Sequence, residues 1–478
     1  MSAQLEKDLS WESSMLGILY RQLFVSRKPL TNQISLNGQT AVVTGSNGGL
    51  GLEASRQLLQ HGLSRLIIAV RSQASGDGAA EMLRKEFPDV DIQVWLLDMA
   101  DYDSIQAFTK RYQGLGRVDY TILNAAMQSS NFEHHEKTGH ELVFQVNYIS
   151  TVLLCMLLAP ILKDMTYTGA NVKPPVLSIV GSDTMYFSKF SSAGLVFPRM
   201  DNPDSYERMT QYMDSKLLLM IFINRLAQQI DPDDVIINVC NPGMVAGTGL
   251  GRNGSPNPGF AEKYLVPLFV KALGRSVQSG ASVYVHALLD EGKKGHGSFI
   301  SDWEIKPYPR LLYISEGQEL SERLWQETIE ELRPALGEVI AIRAVWGPLC
   351  FQHLLKQGLD GYHRPIPRND EALSPNIDFK IPSCCFKWPG CCYIYGESDG
   401  CSSAEIDNRR RNQSEVKCFI PSDFGSISAG PSAAHLLHNV QLVEIQNYLE
   451  SDEDLVEWTV FSIGAFTEFL VNFDIVLD

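Results

Sequence analysis

An α/β fold is what this sequence predicts: a doubly wound parallel sheet with helices on both faces, followed by an irregular C-terminal appendage. Three observations carry the prediction. Short apolar runs alternate with segments of helical period from Thr40 to Ser301, and that alternation builds parallel strands joined by crossover helices. The first run passes through a glycine-rich turn, Thr44-Gly45-Ser46-Asn47-Gly48-Gly49-Leu50-Gly51, straight into a helical pattern. Polar residues recur where the runs end, at Asp98, Asn124, Ser182 and Asn241. That end of an open α/β sheet is where ligands bind.

Thr40 to Val43 reads as a buried strand, and Leu52 to Gln60 as a helix with Leu50, Ala54, Leu58 and Leu59 on one face. Strand, glycine turn and helix together give the spacing its meaning. Gly45 permits the tight turn, Gly49 lets backbone approach a pyrophosphate, and Gly51 lets the helix pack close to the strand. Backbone N–H groups at the helix start then face the phosphates, as in the Rossmann arrangement for a dinucleotide. The next strand, Leu66 to Val70, ends at Arg71, twenty residues past Gly51. Folds of this kind place an acid there against a ribose 2′-OH, or an arginine near a 2′-phosphate. Asp and Glu are absent from this strand end, which favours the phosphate; a solvated surface arginine is the alternative.

The alternation continues with a helix over Ala79 to Phe87 and a strand over Ile92 to Leu97, ending at Asp98. A helix over Tyr102 to Tyr112 has Asp101 as its N-cap. Val118 to Leu123 is a strand ending in Asn124-Ala125-Ala126, and Glu141 to Leu162 a long helix carrying Asn147. Pro175 to Val180 is a strand ending in Gly181-Ser182, and Ser205 to Gln229 a helix carrying Tyr212 and Lys216. Val235 to Cys240 is a strand ending in Asn241-Pro242-Gly243, and Gly297 to Ser301 the last short strand. A helix over Gln318 to Leu332 closes the body.

The 478 residues divide into an amphipathic extension (1–37), a nucleotide-binding body (38–337), an irregular Cys/Pro-rich linker (338–414) and a fragment (415–478). A net charge of −16 argues against nucleic acid as a partner. The N-terminus lacks the basic start and apolar run of a secretory signal. The apolar run Val152 to Leu162 falls short of the roughly 18 residues that span a bilayer. These features lead us to expect a cytoplasmic protein without an integral membrane segment. Residues 12 to 25 form an amphipathic helix that either packs on the body or lies on a membrane surface. Seven of the nine cysteines follow Leu349, but the adjacent pairs Cys384-Cys385 and Cys391-Cys392 lack zinc-site spacing, so no metal is expected.

Tyr212 and Lys216, four residues apart, share one face of their helix. An ammonium near a phenol lowers its pKa, which suits an acid/base working near neutral pH. Combined with the glycine turn, Asp98, Asn124-Ala125-Ala126, Asn147, Ser182 and Pro242-Gly243, this set resembles the short-chain dehydrogenase/reductase family over residues of about 38 to 335. The likeness is to retinol-dehydrogenase-like members of fungal secondary metabolism. The resemblance implies NADP (NADPH) as cofactor. It implies that Ser182 bonds the substrate oxygen, Tyr212 exchanges its proton, Lys216 holds the nicotinamide ribose, and Asn147 supports a water relay to Lys216. It further implies that Thr44, Gly45, Ser46, Asn47, Gly49, Leu50 and Gly51 cradle the phosphates, with Arg71, Asp98 and Asn124 also on the cofactor. Pro242, Gly243 and Val245 would line the nicotinamide. Ala126 stands where the family has Gly, and the thirty residues from Ser182 to Tyr212 exceed the family's usual gap. The extra segment, Thr184 to Met209, is either a substrate lid or a surface insertion. Met244 to Lys271, with Phe260, Tyr264 and Leu265, is expected to close over an apolar substrate.

The implied activity is interconversion of a ketone or aldehyde with an alcohol on a lipophilic secondary metabolite, a polyketide or terpenoid. Residues of about 415 to 470 resemble the isoflavone-reductase-like (NmrA-like) family, through Val416 to Gly425 and Leu455 to Val460, without its glycine turn. That likeness motivates an alternative, a non-catalytic NADP(H)-sensing regulator. An epimerase or dehydratase on the same fold is a third reading, against which the three-residue gap between Gly45 and Gly49 counts. Apolar faces on the helices 141–162 and 205–229 make a homodimer an expectation.

Overall fold

A computed structural model describes residues 1–30, 34–165, 173–248 and 266–356, with four short strands beyond. The chain forms two compact units, Met1–Arg364 and Pro365–Asp478. In the first, β1 (Thr40–Thr44), β2 (Arg65–Val70), β3 (Asp91–Leu96), β4 (Tyr120–Leu123), β5 (Val176–Val180), β6 (Ile236–Asn241), β7 (Phe299–Ser301) and β8 (Glu304–Lys306) make one sheet. Its order is β3-β2-β1-β4-β5-β6-β7-β8, parallel except for the last pair. The order reverses beside β1, which pairs with both β2 and β4. A crevice opens there at the strands' C-terminal ends.

Successive side chains on the strands point to opposite faces, so the sheet serves two cores. Val42, Ile67, Ala69, Leu177 and Val239 face one core; Ala41, Val43, Leu66, Ile68 and Cys240 face the other. Helices α2 (Gly49–Gln60), α3 (Gln73–Glu86) and α8 (Val277–Leu289) cover the second face. On the first lie α4 (Tyr102–Gln113), α5 (Ser150–Asp164), α6 (Arg208–Gln228) and the start of α9 (Ser315–Lys356). Preceding β1 is α1 (Met15–Phe24), and α7 (Val266–Leu273) precedes α8.

Several expectations change. The helix expected from Glu141 forms, but with an irregularity: Glu141 carboxylate oxygens accept from Val143 N and Phe144 N at its start, and a π-turn spans Gln145–Ile149 before α5. Asp101 stands at the N-cap of α4 as expected, but its side chain makes no capping bond; its carboxylate pairs with Lys137 instead. α3 begins at Gln73, six residues before the expected Ala79, because Gly76 allows close packing that its polar surroundings do not advertise. A Cβ at Gly76 would stand 2.5 Å from Val94 and 2.6 Å from Val70. β8 was not expected. It follows a two-residue turn, Asp302-Trp303, with φ of +56° and +58° and no glycine to signal it.

The helical stretch Leu142–Asp164 is long and apolar enough to cross a membrane, longer than the apolar run alone suggested, but it is buried in the core. The apolar faces expected to pair across subunits are covered by α9 of the same chain. Phe222 stacks on Trp325 at 4.8 Å, and the Tyr148 and Thr328 hydroxyls bond at 2.6 Å. α9 continues past the boundary at 337 to Lys356. Of the cysteine pairs, Cys385 and Cys391-Cys392 lie on a short antiparallel ribbon, while Cys384 lies outside the described residues.

The insertion between Ser182 and Tyr212 is packed rather than free. Phe190, Val196, Phe197 and Met200 are buried, and Glu327 of α9 accepts from the N–H groups of Val196 and Phe197. His140 joins the insertion to α9, with Nδ1 2.7 Å from Asp201 Oδ2 and Nε2 3.2 Å from Glu331 Oε1. Burial disfavours the imidazolium, yet the Asp201 and Glu331 carboxylates that its ring N–H groups face push its pKa up to about 9, from an ordinary 6.5. A folded value above the unfolded one stabilises fully below pH 6.5, and that contribution is lost as pH rises through about 9. Chemical denaturation at a series of pH values should therefore show stability falling over that interval. His140→Gln should flatten this part of the slope, and an unchanged slope in the variant would contradict the assignment.

Candidate active site

The glycine turn and the end of β4 are tied into one unit. Thr44 Oγ1 accepts from Asn124 N at 2.9 Å and Ala125 N at 3.0 Å. Asn124 Nδ2 donates to Thr44 O at 3.0 Å and Gly45 O at 3.2 Å, and its Oδ1 accepts from Tyr284 at 3.4 Å. A Cβ at Gly51 would lie 2.7 Å from both Asn124 Nδ2 and Gly45 O, so a side chain there would push α2 off β1. Ser46 is buried and donates to Val43 O at 2.7 Å. Asn47 is exposed, Leu50 is half-buried, and a Cβ at Gly48 or Gly49 would meet nothing within 4 Å. The N-terminus of α2 is thus open to a ligand, and its N–H groups and dipole suit phosphate.

Arg71 is exposed at the end of β2, with no ion pair among the described residues. Asp98 is engaged locally: its carboxylate accepts from Ala100 N at 3.0 Å, and its own N–H donates to Ser104 at 2.9 Å.

Across the crevice, α6 carries Tyr212 and Lys216. Glu207 starts this helix by accepting from Met209 N and Thr210 N, and leucine, isoleucine and methionine side chains bury its core face. Lys216 Nζ donates to Val180 O at 2.8 Å and lies 5.8 Å from the centre of the Tyr212 ring. The Tyr212 phenol and the Ser182 hydroxyl are both buried here. Burial pushes that phenol up to about 12, Ser182 opposing the rise and the charge of Asp183 adding to it. Burial likewise lowers Lys216 to about 8. The phenol was expected to be lowered by the ammonium; in the structure, desolvation dominates both groups.

Asn147 lies in the π-turn with its side chain already occupied. Its Oδ1 accepts from Met127 N at 2.8 Å, and its Nδ2 donates to Met127 O at 2.9 Å and to Ser215 Oγ at 3.3 Å. Ser215, between Tyr212 and Lys216, in turn donates to Tyr212 O. The side chain of Asn147 therefore braces the segment after β4 against α6; any relay toward Lys216 would have to use other atoms.

After β6, Pro242 and Gly243 make a turn with Gly243 at φ +77°, and Val245 pairs with Arg275. Sequence reasoning missed the surroundings of Ser182. Thr184 Oγ1 donates to Ser182 Oγ at 2.9 Å. The Asp183 carboxyl is pushed up to about 6 by burial and by Asp302, while Arg21, Asn241 and Arg275 pull it down. Asp183 is visible beside Ser182 in the sequence; Arg21, Arg275 and Asp302 reach it only through the fold. Phe260, Tyr264 and Leu265 lie outside the described residues.

The arrangement gathers a buried phenol and hydroxyl, a buried amine and an open phosphate cradle at one edge of the sheet. A hydroxyl pair of this kind can polarise an oxygen atom and exchange a proton with it.

Comparison with known proteins agrees with this geometry. Residues 39–173 match the family model described as short chain dehydrogenase. The chain is 48% identical over 332 residues to short chain dehydrogenase virL of Hypocrea virens, covering 70% of this chain and 96% of that protein. It is 44% identical over 306 residues to short chain dehydrogenase/reductase mfmJ of Annulohypoxylon moriforme, covering 63% and 86%. Short chain dehydrogenase opdN of Penicillium oxalicum is 38% identical over 320 residues, covering 64% of this chain and all of that protein. The likeness of residues 415–470 to isoflavone-reductase-like proteins is not borne out, since the matching family model covers residues 39–173. With virL matched at this identity over nearly its whole length, the chain belongs to the short-chain dehydrogenase/reductase family, oxidoreductases that work with a nicotinamide cofactor.

Proposed function

We propose that this protein is an NADP(H)-dependent oxidoreductase of the cytoplasm that interconverts a ketone or aldehyde with an alcohol on a lipophilic secondary metabolite, a polyketide or terpenoid. The observation that carries the reading is that Tyr212 and Ser182 are buried together at the sheet edge that bears the glycine turn, with Lys216 one helical turn from Tyr212 and its Nζ 5.8 Å from the ring centre.

The residues present fit the cofactor. Gly45, Gly49 and the N-terminus of α2 would receive the phosphates, Arg71 the 2′-phosphate, and Pro242, Gly243 and Val245 the nicotinamide. A bound NADPH supplies the hydride. Ser182 holds the substrate oxygen, and Tyr212 Oη gives it a proton in reduction or takes one in oxidation. Lys216, positively charged below its pKa of about 8, opposes the burial that disfavours phenolate. Asn147 and Ser215 hold α6 in register with the segment after β4.

NADPH oxidation by the full chain against a panel of lipophilic ketones and aldehydes tests the proposal. Tyr212→Phe should lower turnover by about 10²–10⁴-fold, the usual worth of an acid/base; full turnover in that variant would sink the assignment. Arg71→Asp should weaken NADPH far more than NADH in parallel titrations, because it sets a carboxylate against the 2′-phosphate. An equal loss for both nucleotides would remove Arg71 from the phosphate site.

A further inference from the structure

The segment before the first strand reaches the far side of the site. The apolar residues of α1 do not all pack inward: Leu16 is 72% exposed and Phe24 68%. Its polar residues carry the contact instead. Gln22 Nε2 donates to Met244 O at 2.7 Å and to Leu273 O at 3.1 Å, and Gln22 Oε1 accepts from Met244 N at 3.2 Å. The carboxamide thus uses both donor hydrogens and its oxygen on two backbone segments more than two hundred residues away.

Those segments flank the Pro242-Gly243 turn. A Cβ at Gly243 would stand 2.9 Å from Gln22 Oε1 and 2.9 Å from Arg275 Nη1, so the turn rests directly on the clamp. Arg21, beside Gln22, anchors α1: its Nε donates to Asp302 at 2.9 Å, its Nη1 bonds Glu12, and its carbonyl accepts from Arg275 at 3.1 Å. Arg275 also bonds Asp302 and reaches Pro242 O at 3.4 Å. The buried ion pairs fix where the helix sits, and among the described residues the side-chain hydrogen bonds from α1 to Met244 and Leu273 come from Gln22.

We propose that Gln22 is a positioning residue for the nicotinamide half of the cofactor, holding Met244 at both its N–H and its carbonyl so that the Pro242-Gly243 turn keeps its shape. The inference rests on the reading that this turn lines the nicotinamide. Gln22 lies outside residues 39–173, so nothing in the family match assigns it. The adenosine half would be held at the other end of the crevice, by α2 and Arg71, and does not depend on the clamp.

Calorimetric titration of the full chain with NADPH and with 2′,5′-ADP, which lacks the nicotinamide half, separates the two ends. Gln22→Ala should weaken NADPH about tenfold and leave 2′,5′-ADP within about twofold, the scale of one or two neutral hydrogen bonds. Gln22→Glu keeps the side-chain length and an acceptor for Met244 N but removes both donors. It should show the same split, and it serves if the alanine variant does not fold. Wild-type affinity for NADPH in the variants, or equal weakening of both ligands, would overturn the proposal. If the wild-type chain itself fails to bind NADPH, the reading of the site falls and this inference with it.

Discussion

Asn124 occupies the point on which the site depends. The reversal of strand order beside β1 creates a crevice, but a crevice between two strand ends has a fixed shape only if those ends are tied. Asn124 ties them: its amide nitrogen donates to two carbonyls of the glycine turn, while its backbone donates to Thr44. The same carboxamide is what leaves no room for a side chain on Gly51. The fingerprint is therefore half of a packed unit whose other half lies eighty residues later. Removing the carboxamide would leave two turn carbonyls without their donor in a half-buried place, which is costlier than losing the bond alone.

The opposite wall is governed by desolvation. Tyr212 and Lys216 both sit where charge is disfavoured, and burial drives their pKa values apart, the phenol up to about 12 and the amine down to about 8. A phenol left so is a poor base at neutral pH. Asp183 adds negative charge close to the phenol, and is itself restrained by Arg21 and Arg275. The buried ion pairs of the N-terminal segment are thus electrostatically continuous with the site.

Much of this was legible in the sequence, and what was missed shares one cause. The central strands were recognisable as apolar runs because a sheet covered on both faces buries every residue of β1, β4, β5 and β6. The glycine turn, Asn124, Ser182, Tyr212 and Lys216 were recognisable because each has a fixed place on a strand end or a helix face. The turn of β7 and β8 was not, since Asp302 and Trp303 adopt positive φ without glycine; Arg275 and Ser282 hold them through contacts no local pattern records. The roles of Arg21 and Gln22 were hidden in the same way. The π-turn at Gln145–Ile149 and the covering of α5 and α6 by α9 likewise depend on distant partners, Ser215, Trp325 and Thr328 among them.

The central claim is spatial: one crevice receives the phosphates at α2 and the nicotinamide beside Tyr212. A crystal structure of the full chain with NADPH tests it most directly. The account predicts the pyrophosphate over Gly45 and Gly49 and the nicotinamide between Tyr212 and the Pro242-Gly243 turn, with the ribose at Lys216. A nucleotide bound elsewhere, or one whose nicotinamide points away from Tyr212, would contradict it.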